Sequence, residues 1–147
     1  MNRSDVTEAI VAAKIRLGIS WTEVAGRVGA SKEWVTAACL GQMTLTAAQA
    51  EIVAEIFELT GEQARWLTEV PFKGTLASGA PDDPLIYRFY ELVSVYGTTW
   101  KQLIHEEFGD GIMSAIDFRM DLQREPDPKG DRVKITMSGK FLPYATY

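Results

Sequence analysis

The spacing of apolar residues changes once along this chain, near Gly109 and Gly111, and this change indicates the fold class. Before the two glycines, apolar residues recur every three to four positions, which is typical of helices. After them, residues 112–123 and 132–138 alternate between the two faces of an extended chain, which is typical of half-buried strands. Helices followed by two strands predict an α+β protein that ends in a β-hairpin.

Signals for the start of a helix recur in the first half of the chain. Capping boxes, in which a Ser or Thr is followed three residues later by Glu or Gln, occur at Ser20, Thr46 and Thr60. Glycines and Pro71 supply the corresponding stops. We therefore predict a bundle of five short helices, near residues 5–17, 21–28, 32–40, 47–58 and 61–70.

A stretch rich in Gly, Pro, Ser and Asp, residues 72–83, indicates a linker. It separates a helical domain, residues 1–77, from a C-terminal domain, residues 84–147. Asp83 is suited to cap a helix that begins at Pro84, and we expect that helix to end at Gly97 and another to cover residues 98–109. An isolated hairpin is marginally stable in water, so we expect this C-terminal domain to form an obligate oligomer.

Composition and charge exclude several classes of protein. The 147 residues carry a net charge of −5 and one cysteine, Cys39, so no intramolecular disulfide is possible. Cys39 lies among small apolar residues and is expected to be a buried hydrophobe. The chain shows neither a secretory signal nor an apolar run of the ~18 residues that a membrane span needs, and we expect a cytoplasmic protein.

Residues 21–40 have the spacing of the helix-turn-helix in phage-repressor-like domains, with Gly29 at the turn. The second helix would offer a DNA groove only one positive charge, Lys32. Residues 1–80 contain seven Lys or Arg against nine Asp or Glu, whereas phosphate neutralisation supplies most DNA affinity. The charge balance favours a packing role. A transcriptional regulator with a ligand-sensing C-terminal domain stays open as an alternative, and salt-dependent DNA binding would distinguish it.

Arg88 and Glu91 lie three residues apart on one helix face. Spacing alone is typical of a solvated ion pair. These two residues are, however, the only ionic groups between Asp83 and Lys101, in a segment that is apolar nearly all round. Such a helix is usually buried, so we expect the pair to lie in an interior or an interface, directed at a specific partner.

Ser114 is the one polar residue on the apolar face predicted for the first strand. Two interpretations stay open: a buried serine bonded to a nearby backbone carbonyl, or a hydroxyl presented to a ligand beside the glycine turn. The single histidine, His105, and the distant Cys39 make a metal site improbable, and no phosphate-binding glycine loop is present.

The segment "YRFYELVSVYGTTWKQLIHEEFGDGIMSAIDF", residues 87–118, closely resembles the signature region of the cyanase family, also called cyanate hydratase or cyanate lyase. The segment "KITMSGKFLPY", residues 134–144, resembles the family's C-terminal strand and tail. The short helices that end in "VTAACLGQ" resemble its N-terminal domain. The resemblance covers nearly the whole chain.

The resemblance implies that Arg88, Glu91 and Ser114 are catalytic residues. It implies a repressor-like helical domain, not known as a DNA binder, joined to a C-terminal domain that intertwines in a dimer. Five such dimers would form a decamer with active sites at the interfaces. The implied reaction converts cyanate and bicarbonate, its co-substrate, to carbamate and carbon dioxide, and carbamate then gives ammonia and carbon dioxide. It needs no metal or organic cofactor, nucleic acid or membrane. A structural protein that keeps this scaffold without catalysis stays open as a third class.

Overall fold

A computed structural model describes residues 1–74 and 79–147 of the chain. The chain divides into two compact units, Met1–Thr75 and Leu76–Tyr147. Helices in the first unit, and a helix and a hairpin in the second, confirm the predicted α+β class. The predicted linker, residues 72–83, and the predicted domain boundary at residue 77 lie partly outside the described residues.

The first unit contains the five predicted helices. They are α1 (Arg3–Leu17), α2 (Trp21–Val28), α3 (Lys32–Cys39), α4 (Ala47–Phe57) and α5 (Gly61–Thr68).

The three predicted capping boxes of this unit are formed. The backbone N–H of Gln49 donates to the Thr46 hydroxyl at 3.3 Å, and the Gln49 side chain accepts from the Thr46 N–H at 3.0 Å. The boxes at Ser20 and Thr60 have the same geometry. The helix α1 begins at Arg3, two residues before the predicted start near residue 5, because Asn2 and Asp5 form a fourth box.

One hydrophobic core holds the five helices together, and Val6, Ile10, Val53 and Leu67 are fully buried in it. Cys39 belongs to the same core, and its burial raises the pKa of the thiol to about 11. The expectation of a buried cysteine is therefore confirmed.

The turn between α2 and α3 has the predicted helix-turn-helix form. Gly29 adopts a left-handed conformation with φ of 79°, and its N–H donates to the Ala25 carbonyl at 2.8 Å. Because only glycine reaches this conformation at little cost, it ends α2 where the sequence predicts.

The second unit begins with one helix, α6 (Pro84–Phe108), where two were predicted. Asp83 caps α6 as expected, and its carboxylate accepts from the N–H groups of Leu85 and Ile86 at 2.9 Å each. The prediction of a helix end at Gly97 was wrong. A Cβ at Gly97 would meet only Val93 Cγ1 at 3.6 Å, so no close neighbour requires a glycine there.

Gly109 ends α6 instead, twelve residues further on. Its φ of 90° lies in the region that favours glycine, and its N–H donates to the His105 carbonyl at 3.0 Å. A glycine inside a helix costs only about 1 kcal/mol relative to alanine. The continuous hydrogen bonding of a long helix outweighs that cost at Gly97.

Two antiparallel strands, β1 (Gly111–Glu125) and β2 (Arg132–Pro143), form the predicted hairpin and are longer than predicted. Pairing is regular from Phe118, opposite Gly139, to the end of β1, opposite the start of β2. A second paired stretch joins Gly111–Met113 to the end of β2.

Among the described residues, no helix combines the length and apolar character needed to cross a bilayer.

A large bulge separates these two paired stretches. Residues 114–117 of β1 face a single residue of β2, Lys140. The bulge shifts the register by an odd number of residues, which reverses the faces of the strand. The predicted strict alternation was therefore wrong here: Ser114 is 3 % exposed, whereas Ile116, predicted on the same face, is 98 % exposed.

Candidate functional site

The side chains of Arg88 and Glu91 meet on the first half of α6. Arg88 Nη1 lies 3.1 Å from Glu91 Oε2, and Arg88 Nε donates to the Pro84 carbonyl at 3.2 Å. The guanidinium carbon lies 5.2 Å from the centroid of the Tyr87 ring, within the range of a cation–π contact. The pair is thus formed as the i, i+3 spacing predicts.

The bonds of Arg88 leave much of its donor capacity unused. A guanidinium has five N–H groups, of which two donate to Pro84 and Glu91, and among the described residues no protein acceptor meets the other three. These two bonds leave the other N–H groups of the guanidinium available to a ligand. Acceptor-only groups such as small anions match this arrangement.

Within one chain the pair is exposed rather than interior, with the Arg88 side chain 61 % exposed. An ion pair with this exposure contributes about 0–1 kcal/mol to stability. The sequence predicted that the pair lies in an interior or in an interface, and the exposure of α6 is compatible with an interface with another chain. All of α6 is described, and no residue of it is buried.

The exposed surface of α6 is largely apolar. A soluble protein seldom leaves so many large apolar side chains of one element in water. These residues are Leu85, Ile86, Phe89, Tyr90, Leu92, Val93, Val95, Tyr96, Trp100, Leu103 and Phe108.

Ser114 has a different environment from the ion pair. It lies at the start of the bulge in β1 and is the one buried polar residue among the described parts of the chain. Its Oγ accepts hydrogen bonds from the N–H groups of Ile116 at 3.0 Å and of Asp117 at 2.9 Å. One of the two interpretations predicted a serine bonded to a backbone carbonyl. The structure instead shows the Ser114 hydroxyl bonded to two backbone N–H groups.

These two bonds define what the Ser114 hydroxyl can do. A hydroxyl oxygen accepts two hydrogen bonds and donates one. Because Ile116 and Asp117 occupy both acceptor positions, the hydroxyl is left with its proton to donate. The structure thus favours Ser114 as a hydrogen-bond donor over a base or a nucleophile.

The structure joins two of the three predicted site residues and leaves the third apart. Within the described residues, the Ser114 side chain makes no hydrogen bond with Arg88 or Glu91. The amides of Ile116 and Asp117 were missed by the sequence reasoning. The sequence did contain a signal for them: Ser114 lies two residues before Ile116 and three before Asp117, which is the spacing of a serine turn.

His105 connects α6 to the strand that carries Ser114. Its Nε2 lies 3.2 Å from the Gly111 carbonyl, and because a carbonyl only accepts, this hydrogen bond requires the tautomer with its proton on Nε2. The His105 side chain is partly exposed. In residues 1–74 and 79–147, no three His, Cys, Asp or Glu side chains are grouped so that they could hold a metal ion.

Comparisons with known proteins show which family this chain belongs to. A family model described as the cyanate lyase C-terminal domain matches residues 78–146, and one described as cyanate hydratase, N-terminal, matches residues 3–71. The chain belongs to the cyanate hydratase family. Both halves of the chain support the assignment, and the resemblance predicted from the sequence is confirmed.

Relatives of this cyanate hydratase family member match it from end to end. Proteins named cyanate hydratase from Methylibium petroleiphilum and Cupriavidus necator are 70 % and 71 % identical to it over 147 residues, which is 100 % of each chain. The crystal structure of cyanase from T. urticae matches with a TM-score of 0.81 at 37 % identity, covering 94 % of this chain and 96 % of that chain.

Proposed function

We propose that this protein is a cyanate hydratase, a carbon–nitrogen lyase that decomposes cyanate in a bicarbonate-dependent reaction. The observation that carries the proposal is the end-to-end match, at 70 % identity, to a protein named cyanate hydratase. The Arg88–Glu91 pair and the donor hydroxyl of Ser114 supply groups suited to anionic substrates.

The proposed reaction brings together two anions. A bicarbonate oxygen attacks the cyanate carbon to give a dianion. Its nitrogen takes up one proton and also receives the proton of the bicarbonate hydroxyl. The bond between the bicarbonate carbon and the attacking oxygen then breaks, which releases carbon dioxide and leaves carbamate. Carbamate then takes up a second proton and releases ammonia and carbon dioxide. Charge repulsion and lost freedom of motion oppose the first step in water, so the site must neutralise charge and fix geometry.

Arg88 is proposed to bind the substrate anions and the dianion through the N–H groups that Pro84 and Glu91 leave available. Ser114 donates a hydrogen bond to one substrate. Glu91 orients Arg88, to which it lies within 3.1 Å, and handles the proton that reaches nitrogen.

The active form is proposed to be a homo-oligomer, a decamer built as a pentamer of dimers, with active sites completed at interfaces. The uncovered apolar surface of α6 and the exposed Ile116 beside Ser114 support an interface at the catalytic region. The same proposal includes a cytoplasmic location and no metal or organic cofactor.

Ammonia release from cyanate tests the function, measured with and without bicarbonate and in the presence of a chelator. We expect release that depends on bicarbonate and is unaffected by the chelator. If an intact oligomer released no ammonia, the proposed enzymatic function would be refuted, and the alternative of a structural protein without catalysis would be favoured. If the chelator abolished ammonia release, the reaction would require a metal ion, contrary to the proposal.

Three substitutions test the residues: Arg88→Lys, Glu91→Gln and Ser114→Ala. Each is expected to lower kcat/KM by about 10²-fold or more, because each removes a group that acts on developing charge. Arg124→Lys is the matched control, since Arg124 forms an exposed pair with Asp131 at 2.8 Å in the same hairpin. Near-normal activity of all three variants with the oligomer intact would refute the assignment.

A further inference from the structure

The bulge in β1 determines where the Ser114 hydroxyl lies. Ser114 begins the bulge, and the N–H groups of Ile116 and Asp117 fold back onto its Oγ at 3.0 Å and 2.9 Å. The direction of the remaining O–H donor therefore follows the backbone of residues 114–117. Any displacement of this backbone also displaces the donor.

Gly139 on β2 lies directly against this backbone. A Cβ built on Gly139 would overlap the carbonyl oxygen of Ser114, and it would lie 2.6 Å from Met113 Cγ and 3.3 Å from Met113 Sδ. The Met113 side chain could move aside, but the Ser114 carbonyl belongs to the main chain and could not move without Ser114.

The requirement for glycine at this position is one of space. The φ of Gly139 lies outside the left-handed region, so the backbone conformation is open to other residues. Gly139 pairs with Phe118, the first regular pair after the bulge. A side chain here would push β2 and the bulge apart at the point where regular pairing resumes.

We propose that Gly139 is a positioning residue for Ser114: its missing side chain lets β2 approach the bulge closely enough to set the place of the Ser114 hydroxyl. This inference rests on the proposed function, since it assigns Gly139 a role through a residue proposed to contact substrate. Gly139 itself touches no substrate in this account.

Gly111 shows that close approach alone does not define the role. A Cβ on Gly111 would also overlap β2, at the Leu142 carbonyl, and would lie 2.5 Å from Phe141 Cζ and 2.8 Å from Pro143 Cα. None of these atoms belongs to Ser114. Gly111 supports the end of the strand pair, whereas Gly139 contacts the residue that carries the hydroxyl.

A double-mutant cycle tests the proposal on the full-length oligomer. The values of kcat and KM for cyanate and bicarbonate are measured for the unsubstituted protein, Gly139→Ala, Ser114→Ala and the double variant. We expect Gly139→Ala to lower kcat/KM about tenfold or more, and to lower it less than about twofold when Ser114 is already alanine. Ser138→Ala, at an exposed neighbouring position on β2, is the control and should stay within about twofold.

Two results would overturn the proposal. The first is a Gly139→Ala enzyme with unchanged kcat/KM. The second is a double variant whose fold-loss in kcat/KM equals the product of the two single losses, because independent losses mean that Gly139 does not act through the Ser114 hydroxyl. In either case a low activity of Ser114→Ala alone still supports the proposed function. Full activity of Ser114→Ala instead refutes the proposed role of Ser114 and removes the basis of this inference.

A second variant covers the case in which Gly139→Ala does not assemble. Met113→Ala combined with Gly139→Ala removes the overlap with the Met113 side chain and keeps the overlap with the Ser114 carbonyl. It is compared with Met113→Ala alone, again with and without Ser114→Ala, and the same non-additive loss is expected. Failure of this variant to assemble would show that Gly139 is required for the whole hairpin, which overturns a specific role toward Ser114.

Discussion

Raising the pH above 9 should destabilise the first unit through one buried thiol, that of Cys39. Cys39 is fully buried in the helical core, and this burial raises the pKa of the thiol from 9.0 to about 11, while the nearby Arg3 guanidinium acts in the opposite direction. The unfolded chain releases the thiol proton near pH 9, whereas the folded chain keeps it until about pH 11. Between these two values the folded state binds more protons, so the free energy of unfolding falls as the pH rises.

The size of the effect follows from the two pKa values. Each pH unit between them is worth about 1.4 kcal/mol, so the largest possible loss is about 2.7 kcal/mol. At pH 11, where half of the folded thiols have lost their proton, the loss is roughly 2 kcal/mol. A loss of this size is a large fraction of the 5–15 kcal/mol that is typical of domains.

Urea unfolding between pH 8 and pH 11 measures this loss. Tryptophan fluorescence in a Trp100→Phe background reports on the first unit alone, because the other three tryptophans, Trp21, Trp34 and Trp66, lie in it. Cys39→Ala in the same background removes the thiol and gives the contribution of all other titrating groups. Parallel pH profiles for the two proteins, or rapid alkylation of native Cys39 at pH 8, would refute the reasoning.

Four further substitutions test the helices by thermal or urea unfolding. Gly97→Ala should stabilise the second unit by up to about 1 kcal/mol, and Gly109→Ala should destabilise it by a similar amount. The two differ because, of these two glycines, only Gly109 has a positive φ. A lower stability of Gly97→Ala would mean that a partner chain packs against that glycine. Thr46→Ala should cost the first unit about 1 kcal/mol through the lost cap, and an unchanged midpoint would contradict the capping role. Ile10→Ala should cost about 2–5 kcal/mol because Ile10 is fully buried, and a cost below that range would place it outside the core.

The helical half was predictable because its signals are local. A capping box joins residues three apart, so Thr46 with Gln49 and Thr60 with Gln63 can be recognised without knowledge of the rest of the fold. The error at Gly97 has an equally local cause. The sequence shows the glycine but not its φ, and only the positive φ distinguishes Gly109 as the end of the helix.

The bulge could not be predicted from spacing along β1. Alternation assigns residues 112–123 to two faces without reference to the partner strand. The bulge, however, depends on β2, where Lys140 alone faces four residues and Gly139 leaves room for the Ser114 carbonyl. The identity of Ser114 as a candidate was predictable, whereas the reason for its burial lies some two dozen residues away in the sequence.

The proposed site residues differ in how far one chain prepares them. Ser114 is already buried and bonded in a single chain, whereas the Arg88 side chain is 61 % exposed and the helix that carries it is uncovered. At 4 Å two unit charges interact by about 1 kcal/mol in water and by about 4 kcal/mol at the lower effective dielectric near a protein surface. Covering α6 with a second chain would therefore strengthen the attraction between Arg88 and a substrate anion severalfold. We expect dilution to abolish cyanate decomposition at concentrations where the first unit is still folded. Full activity of a sedimenting monomer would show that one chain suffices.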